Sequence, residues 1–483
     1  MIKISGKYIR LGGMALALWA AIPSFSQKVV EVLSPICDVT LTSDKPDQAF
    51  PHEKAMEMYT ERTQAKYVFP HPCAMYSADD FKRVKASLDD GTAPDEVKQE
   101  FEALKKNSYS SLTRNASPQE LIVRGDPTGT GIDKENYTYA MRDAAAAYQT
   151  AILWKLTGDE AYAKKSVEIL NAWAAKCKKI ASNDANQMLA AGCQGYTFAC
   201  AAEVMLTYSG WSKTDVSACK QWMLDVFAPK NLSFLKHGAA NVCDLHYWSN
   251  WDLVNMASYM TIGILTEDCD MVDYVVDYFY DGVGNGCIKN FVQGTFDDPL
   301  GSGEQICQAQ ESGRDQGHAE MSAMVLANLA QMAYTFYTAN PSYSKIDFFS
   351  ANDNALLKLG EYVALCNLRD GTDNGNKEGN WIVDTDQVPF NTYYYCKDCS
   401  CANKSHGATH TKVANDSGRG GARPGWEIFY NHYAKVKGLA SGFKYVKQMA
   451  DKMRPECGPG DSRYGNNSGA FDQLGWSTLM LYR

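Results

Sequence analysis

Residues 139–178 decide the fold, and they read YAMRDAAAAYQTAILWKL, then TGD, then EAYAKKSVEILNAWAAKCK. Apolar residues recur at helical spacing up to Leu156, and the pattern stops at Thr157-Gly158-Asp159. A glycine just after a periodic segment is typical of a helix end. The segment 160–178 resumes the helical pattern. The stretch therefore predicts two antiparallel helices joined by a short turn.

The same pattern continues almost to the end of the chain. Before it, Ser77 is the predicted N-cap of a helix at 79–88, and a second helix is expected at 95–106. Repeated helical hairpins of about 35–45 residues are typical of an α-solenoid or an (α/α) toroid. We therefore predict a mainly all-α protein, an (α/α) toroid or incomplete barrel over residues 77–483. The further hairpins are 187–208 with 213–227, 250–265 with 269–280, 319–337 with 353–368, and 424–437 with 441–453.

Two long irregular stretches, 282–313 and 369–423, interrupt the hairpins. They carry much of the chain's Gly, Asp and Asn, and the second contains short strand-like runs at 381–383 and 392–395. Because loops between paired helices collect at the ends of a toroid, we expect these loops to form the wall of a cleft.

The first 26 residues have the pattern of a secretory signal peptide. Lys3, Lys7 and Arg10 precede the apolar run 11–23, which is too short to span a bilayer. Small residues follow, so we expect cleavage before Gln27 and a soluble protein that is periplasmic or secreted. Residues 27–76 are expected to form an N-terminal arm.

The composition of the chain disfavours two classes of partner. The chain is 45% apolar and 21% charged, and its net charge of −9 becomes −12 when the three cations of the signal peptide are removed. A nucleic-acid or anionic-membrane partner is therefore disfavoured, and no later segment is apolar enough for membrane insertion. Most of the fifteen cysteines lie in apolar helical segments, Cys193 and Cys200 among them, where buried inert thiols are expected.

The most polar part of the helical region is Gln308–His318, which reads QAQESGRDQGH and precedes the apolar segment 319–337. We expect Glu311, Arg314 and His318 to line a substrate cleft. If the helix begins near Ser312 or Asp315, Arg314 and His318 share one face, which places a fixed cation beside a titratable imidazole. The structural alternative is an ion pair between Arg314 and Glu311, with His318 as a hydrogen-bonded core residue.

Three segments resemble the alginate lyase family of polysaccharide lyases. They are the first hairpin with its Leu156-Thr-Gly-Asp turn, the motif His246-Tyr-Trp-Ser-Asn-Trp-Asp252, and Gln310–His318 with its helix. The segment that begins at Arg423 is also similar. This resemblance covers about residues 70–440 and implies a secreted (α/α) toroid that cleaves a 1,4-linked uronan, of alginate or glucuronan type, by β-elimination. The implied partner is an anionic polysaccharide or oligosaccharide, and no cofactor is expected.

The implied reaction removes the C5 proton of a uronate, so the C6 carboxylate must be neutralised. The resemblance points to Asn250 and Arg314 for this role, with His246 sharing it. A base and an acid complete the site, and His318 is the first candidate for proton transfer. The predicted substrate-binding residues are Trp248, Glu311, Arg423 and Tyr430.

The chain departs from the family pattern in two places. Better-known members have an adjacent Asn-His pair and a tyrosine about two helical turns after the arginine. Here Asn250 follows His246 by four residues, and no tyrosine follows Arg314 before Tyr334. The proton-transfer group is therefore open between His318 and a tyrosine from elsewhere. The candidates are Tyr247, Tyr395 and Tyr430.

Alternatives remain at the level of single residues and of function. Asn250 has a structural alternative as the cap of its helix, and Trp248 as a core aromatic. A glycoside hydrolase on the same scaffold would need two carboxylates, for which the candidates are Asp252 with Glu311 or Asp315. A non-catalytic glycan-binding protein of an import system is the third hypothesis.

A separate cluster lies in the second long loop. The residues Cys396, Cys399, Cys401, His406 and His410 are of the types that bind zinc. In an exported protein, cysteines of this kind more often form disulfides than bind zinc, and either link would order the loop.

Overall fold

The computed structural model describes residues 66–236, 247–371, 379–394, 409–415 and 418–483. It also assigns the backbone of two short antiparallel strands, β1 (Ile2–Ile4) and β2 (Lys7–Ile9). The rest of the predicted signal peptide, and the predicted arm as far as residue 65, lie outside the described residues.

Helices dominate the described chain, as predicted. The hairpins expected from apolar periodicity are all present, with bounds that shift by a few residues. The helices are α1 (Ala78–Asp89), α2 (Asp95–Lys106), α3 (Tyr137–Thr157), α4 (Glu160–Lys176), α5 (Asn186–Met205), α6 (Lys213–Trp222), α7 (Ala228–Leu235), α8 (Ser249–Thr266), α9 (Cys269–Asp281), α10 (Ile288–Phe291), α11 (Gln316–Ala339), α12 (Ala355–Asn367), α13 (Trp426–Tyr430), α14 (Lys444–Met453) and α15 (Ser477–Leu481).

Local signals set the ends of these helices. Gly158 ends α3 in the left-handed conformation with φ 74°, and the carboxylate of Asp159 accepts the Ala161 N–H to begin α4. Ser77 and Asp80 form a reciprocal capping box at the start of α1. The predicted turn at 157–159 and the predicted Ser77 cap are therefore confirmed.

Inner and outer layers differ in burial. Nearly every side chain of α5 and α8 is buried, whereas α4, α6 and α9 bury one face. The inner helices therefore form the core of the toroid, and the outer helices cover them.

The inner helices α5, α8 and α11 run parallel. A Cβ at Gly192 would lie 2.5 Å from Val254 Cγ2, so glycine permits a close approach of α5 and α8. Further along, Thr261 of α8 contacts Met332 of α11, while Ser249 contacts Ser322. The contacts advance together along both helices, so the N-termini of α8 and α11 lie at the same end of the toroid.

Short strands form inside the loops. The paired strands are β3 (Leu121–Ile122) with β4 (Lys179–Ile180), β5 (Val292–Asp297) with β6 (Gln305–Ala309), and β7 (Tyr393–Tyr394) with β8 (Thr409–His410). The strand-like run at 392–395 is confirmed in part by β7. The run at 381–383 contributes only an isolated bridge between Trp381 and Arg369.

The β5–β6 hairpin corrects the prediction that 282–313 is irregular throughout. Its turn contains Gly301 and Gly303, both at positive φ, which allow the chain to reverse. Strand β6 ends at Ala309, and α11 begins at Gln316. The hairpin therefore fixes the position of residues 310–315, which connect the two elements.

The ten described cysteines are buried, and Cys193, Cys200, Cys219 and Cys366 are free thiols. Burial raises the pKa of Cys193 to about 12, which keeps it protonated and unreactive. The predicted inert state of the helical cysteines is confirmed for these residues. Within the described residues, no helix combines the length and apolarity needed to cross a bilayer.

Candidate active site

The candidate site lies where β6, α8 and α11 meet. Residues 310–315, called here the 310–315 loop, connect β6 to α11. Asp315 caps α11 and accepts the His318 N–H at 2.8 Å, so the predicted helix start near Asp315 is confirmed. Arg314 precedes this cap and lies outside the helix. The expectation that Arg314 and His318 share a helical face is therefore wrong, and both side chains instead contact Asp315.

Glu311 is the centre of the hydrogen-bond network. Its side chain is fully buried, and Oε1 accepts from the Asn250 backbone N–H at 2.8 Å and from the Ser249 hydroxyl at 2.9 Å. The Ser322 hydroxyl donates to the same oxygen at 2.5 Å, and Arg314 Nη1 donates to Oε2 at 2.9 Å. The carboxylate also lies at the positive end of α8. Glu311 therefore joins the start of α8 to the 310–315 loop and does not face a ligand.

Asn250 serves the same network. It is 1% exposed, and its Nδ2 lies 2.8 and 3.0 Å from the two carboxylate oxygens of Glu311. Helix α8 begins after Trp248 without a side-chain cap, so the structure does not show Asn250 as a cap residue. Its described contacts indicate that Asn250 holds Glu311 in position.

Arg314 is held between a carboxylate and an aromatic ring. Its guanidinium lies 4.4 Å from the centroid of the Trp248 ring, and Nε lies 3.5 Å from Asp315 Oδ2. The predicted alternative of an Arg314–Glu311 ion pair is therefore present, but 23% of the arginine side chain stays exposed. Trp248 is half-buried and shapes this contact.

His318 is oriented by Asp315. Its Nδ1 lies 2.7 Å from Asp315 Oδ2, and 41% of its side chain is exposed, so it is not a core residue. Burial alone would raise the pKa of Asp315, but the hydrogen bonds and charge of His318, together with Arg314, outweigh burial and lower it. An ionised Asp315 accepts the Nδ1 proton, which leaves His318 Nε2 for other contacts.

His410, on β8, is a second oriented imidazole. Its Nδ1 lies 2.7 Å from the Gly313 carbonyl oxygen, which can only accept, so Nδ1 carries the proton. Nε2 is buried and has no hydrogen-bond partner among the described residues. Burial lowers the pKa of His410, the Gly313 carbonyl opposes this change, and the Arg314 cation adds to it. His410 is therefore a neutral imidazole whose Nε2 lone pair is not used by any described residue.

Aromatic packing places His410 in the site. Its ring stacks on the Tyr393 ring, with 5.0 Å between the ring centroids, and its centroid lies 5.7 Å from that of the Trp248 ring. The Tyr393 hydroxyl donates to the Gln310 carbonyl oxygen. Sequence reasoning had assigned His410 only to the cysteine-rich cluster. The other members of that cluster, Cys396, Cys399, Cys401 and His406, lie outside the described residues.

The 310–315 loop also contains polar groups without partners. Gln310 Nε2 and Ser312 Oγ are buried and form no hydrogen bond within the described part of the chain. Leaving such groups unpaired costs about 1–3 kcal/mol each, so the described contacts leave the polar groups of this loop incompletely satisfied.

Two predicted substrate-binding residues make their described contacts elsewhere. Arg423 donates to the Gly469 carbonyl at 3.0 Å and lies 3.4 Å from Asp472. Tyr430 packs on Phe443, with the Arg454 guanidinium 5.2 Å from its ring. Two further candidates, His246 and Tyr395, lie outside the described residues.

The three carboxylates predicted as candidates for a hydrolase are each bound by groups of the protein. Asp252 is buried, accepts from the Tyr278 hydroxyl and the Gly286 N–H at 2.9 Å each, and has its pKa raised to about 7 by burial. Glu311 is saturated with donors, and Asp315 is held by His318. Glycoside hydrolysis requires two carboxyl groups that face the scissile bond from opposite sides of a cleft. The described contacts of these three acids are instead to groups of the protein.

The described helices form a toroid of antiparallel hairpins, with charged and aromatic side chains at the start of its inner helices α8 and α11. The sequence matches the alginate lyase family over residues 87–366, more than half of the chain. The chain belongs to the alginate lyase family and is a polysaccharide lyase.

Solved structures agree on the fold. An apo histidine-to-alanine variant of alginate lyase A1-III is 14% identical, with a TM-score of 0.52, and the match covers 87% of this chain and 98% of that chain. A tyrosine-to-phenylalanine variant complexed with a tetrasaccharide has the same identity and coverage and a TM-score of 0.50. Alginate lyase A1-III from Sphingomonas species A1 is 13% identical, with the same coverage and a TM-score of 0.49. The two higher-scoring matches confirm the predicted toroid. No curated protein matches the sequence.

The buried network makes a prediction about stability. Glu311→Gln replaces one acceptor oxygen by an NH₂ group that faces donors, and it removes the charge paired with Arg314. We expect the free energy of unfolding to fall by about 3–5 kcal/mol, the usual effect of breaking a buried pair. Urea denaturation measures this value, with Glu120→Gln, an exposed glutamate, as the matched control. Equal stability of the two variants would contradict the role assigned to Glu311.

Proposed function

We propose that this lyase cleaves a 1,4-linked uronic-acid polysaccharide, of alginate or glucuronan type, by β-elimination. The observation that carries the proposal is Arg314, a partly exposed cation fixed against Trp248, whose chain neighbours Gly313 and Asp315 orient the imidazoles of His410 and His318. We also propose export to the periplasm or the medium, because residues 1–26 have the signal-peptide pattern and a polymer is degraded outside the cytoplasm.

Arg314 is the group that neutralises the substrate carboxylate. A guanidinium has five N–H donors, and the described contacts use Nη1 for Glu311 and Nε for Asp315. The remaining donors suit a carboxylate, which becomes an enolate as the C5 proton leaves. Glu311 does not cancel this cation completely, since its own charge is shared among donors from α8 and α11.

The two histidines suit the two proton transfers. We assign the base to His410: its Nε2, which has no hydrogen-bond partner among the described residues, removes the C5 proton, and the electrons of that C–H bond enter the enolate. The enolate then forms the C4–C5 double bond while the C4–O4 bond breaks. Protonated His318 donates its Nε2 proton to O4, and its exposed ring recovers a proton from solvent. One proton is removed and one is supplied, and His410 returns its proton to solvent after the product leaves, which restores both histidines for the next turnover.

Trp248 acts here mainly on Arg314. A cation over an indole is stabilised by about 0.5–2 kcal/mol, and the contact also fixes the plane of the guanidinium. The predicted subsite role of Trp248, and those of Arg423 and Tyr430, stay predictions.

The direct test is the ultraviolet absorbance of the unsaturated uronate product. We expect absorbance to rise when the purified chain is incubated with at least one member of a panel of alginate and glucuronan polymers. A neutral polysaccharide of similar length is the substrate control, and Arg314→Ala is the protein control. Mass spectrometry of the products distinguishes elimination from hydrolysis, because hydrolysis adds water. New reducing ends without an absorbance gain on any uronan would overturn the proposal.

A further inference from the structure

We infer that His71, Cys73 and Glu203 form a binding site for a divalent thiophilic metal ion, zinc in the first place. His71 Nδ1 lies 3.0 Å from Glu203 Oε1 and 3.9 Å from Cys73 Sγ. The three ligand atoms all lie within 4.8 Å of one another. One nitrogen, one sulfur and one carboxylate oxygen therefore lie together in one cluster, within reach of a single ion.

The donor set matches zinc chemistry. Zinc binds imidazole nitrogen, thiolate sulfur and carboxylate oxygen at roughly 2.0–2.3 Å, so neighbouring ligands of a tetrahedral ion are roughly 3.5 Å apart. The distances of 3.0 and 3.9 Å lie on either side of this value. Binding transfers the thiol proton of Cys73 to solvent, and the thiolate and carboxylate then balance the two positive charges of the ion. A solvent molecule would complete the coordination.

The surroundings of the cluster also favour a cation. Glu203 is 1% exposed, and within the described residues no lysine or arginine nitrogen lies within 4.0 Å of its carboxylate. On the far side of the imidazole, His71 Nε2 lies 3.5 Å from Glu267 Oε1. A carboxylate behind a metal-binding histidine is the usual arrangement, because it orients the ring so that the other nitrogen faces the metal.

The backbone brings the ligands together from two parts of the chain. His71 lies between two prolines, and Cys73 pairs with Ser77 in an isolated bridge just before α1. The Cys73 N–H donates to Glu203 Oε1 at 2.5 Å, while Glu203 itself lies in the last turn of α5. A metal ion here would attach the segment before α1 to the inner layer.

The cluster is remote from the candidate active site. Glu267, which lies behind His71, is the C-cap of α8, whereas Asn250 lies at its start. A helix of 18 residues is about 27 Å long, so the two ends of α8 separate the sites. The metal is therefore assigned a structural role, distinct from uronan cleavage.

Metal analysis of the full-length protein tests the inference. We expect about one equivalent of zinc to remain after saturation with Zn²⁺ and gel filtration, and Co²⁺ to produce a thiolate-to-metal charge-transfer band. Because the 396–401 segment supplies other thiols, Cys73→Ser identifies the site: it should abolish the band, and Cys219→Ser, a buried thiol of α6, should keep it. Glu203→Gln should weaken zinc binding by at least about tenfold.

Stability gives a second readout. Chelation should lower the Tm of the wild-type protein and leave that of Cys73→Ser unchanged, since only a protein that holds the ion can lose it. Less than a tenth of an equivalent of zinc after saturation would overturn the site. So would an unchanged cobalt band in Cys73→Ser. If neither variant folds, a cobalt spectrum of the folded wild-type protein without a thiolate band would also overturn it, and the structure would then contain only a His71–Glu203 ion pair.

Discussion

Arg314→Ala is expected to lower kcat by about 10²–10³ and to raise KM, because it removes the cation that faces the substrate carboxylate. The effect on kcat should be larger than the effect on KM. Charge grows on the substrate as the C5 proton leaves, so the arginine contributes more in the transition state than in the ground state. Initial rates of absorbance increase on the best uronan of the panel measure both constants.

A second variant of Arg314 separates the effect of its charge from that of its geometry, and a variant of another arginine serves as the control. Arg314→Lys keeps the cation but loses the planar fork and the contact with the Trp248 ring, so it should recover only part of the lost activity. Arg369→Ala is the matched control, since the Arg369 guanidinium also lies over an indole, 3.7 Å from the Trp381 ring. It should lose stability without a comparable loss of kcat. If Arg314→Ala keeps more than about a tenth of the wild-type kcat, Arg314 is not the neutralising group.

The helical framework was predictable because its determinants are local. Apolar periodicity identified the hairpins, and Gly158 with Asp159 marked the turn between α3 and α4. The β5–β6 hairpin was missed because its strands are short and lie among glycines and aspartates. Their pairing depends on a turn at positive φ that no apolar pattern reports.

The site was predictable in position but not in detail. The density of ionisable groups at 308–318 identified the loop, and Asp315 was one of two expected helix starts. The role of each residue in the loop depended on whether its side chain is buried, and tertiary packing decides this. Glu311 and Asn250 have the residue types of a binding site, yet they are buried against each other. A sequence alone does not distinguish a carboxylate that faces substrate from one that holds two helices together.

The position of His410 in the site is the feature that the sequence predicted least well. It lies almost a hundred residues after Gly313, and only the β7–β8 pairing and the packing on Tyr393 bring its ring to the 310–315 loop. Its neighbours in sequence are cysteines and histidines, which suggested zinc or disulfides. Its Nδ1 contact with a carbonyl, which leaves Nε2 without a partner among the described residues, is a feature of the structure alone.

His410→Ala and His318→Ala are each expected to lower kcat by about 10²–10⁴, the range for loss of a positioned proton-transfer group, with KM little changed. The pH profile gives a second test of His410. In the wild-type enzyme His410 must be neutral to act as the base, so activity is lost as pH falls through its pKa. That pKa is lowered from 6.5, so the acid limb of kcat/KM should lie below pH 6.5. Single-turnover rates across pH measure this limb, with Lys412→Ala, an exposed neighbour paired with Asp386, as the control for disturbance of the loop. A structural role for either histidine predicts a different result: the variant should have a lower Tm, and its activity should fall only in proportion to the amount of folded protein. If His410→Ala keeps more than about a tenth of wild-type kcat, it is not the base; if His318→Ala does so, a tyrosine replaces it as the acid, and Tyr430 is tested first.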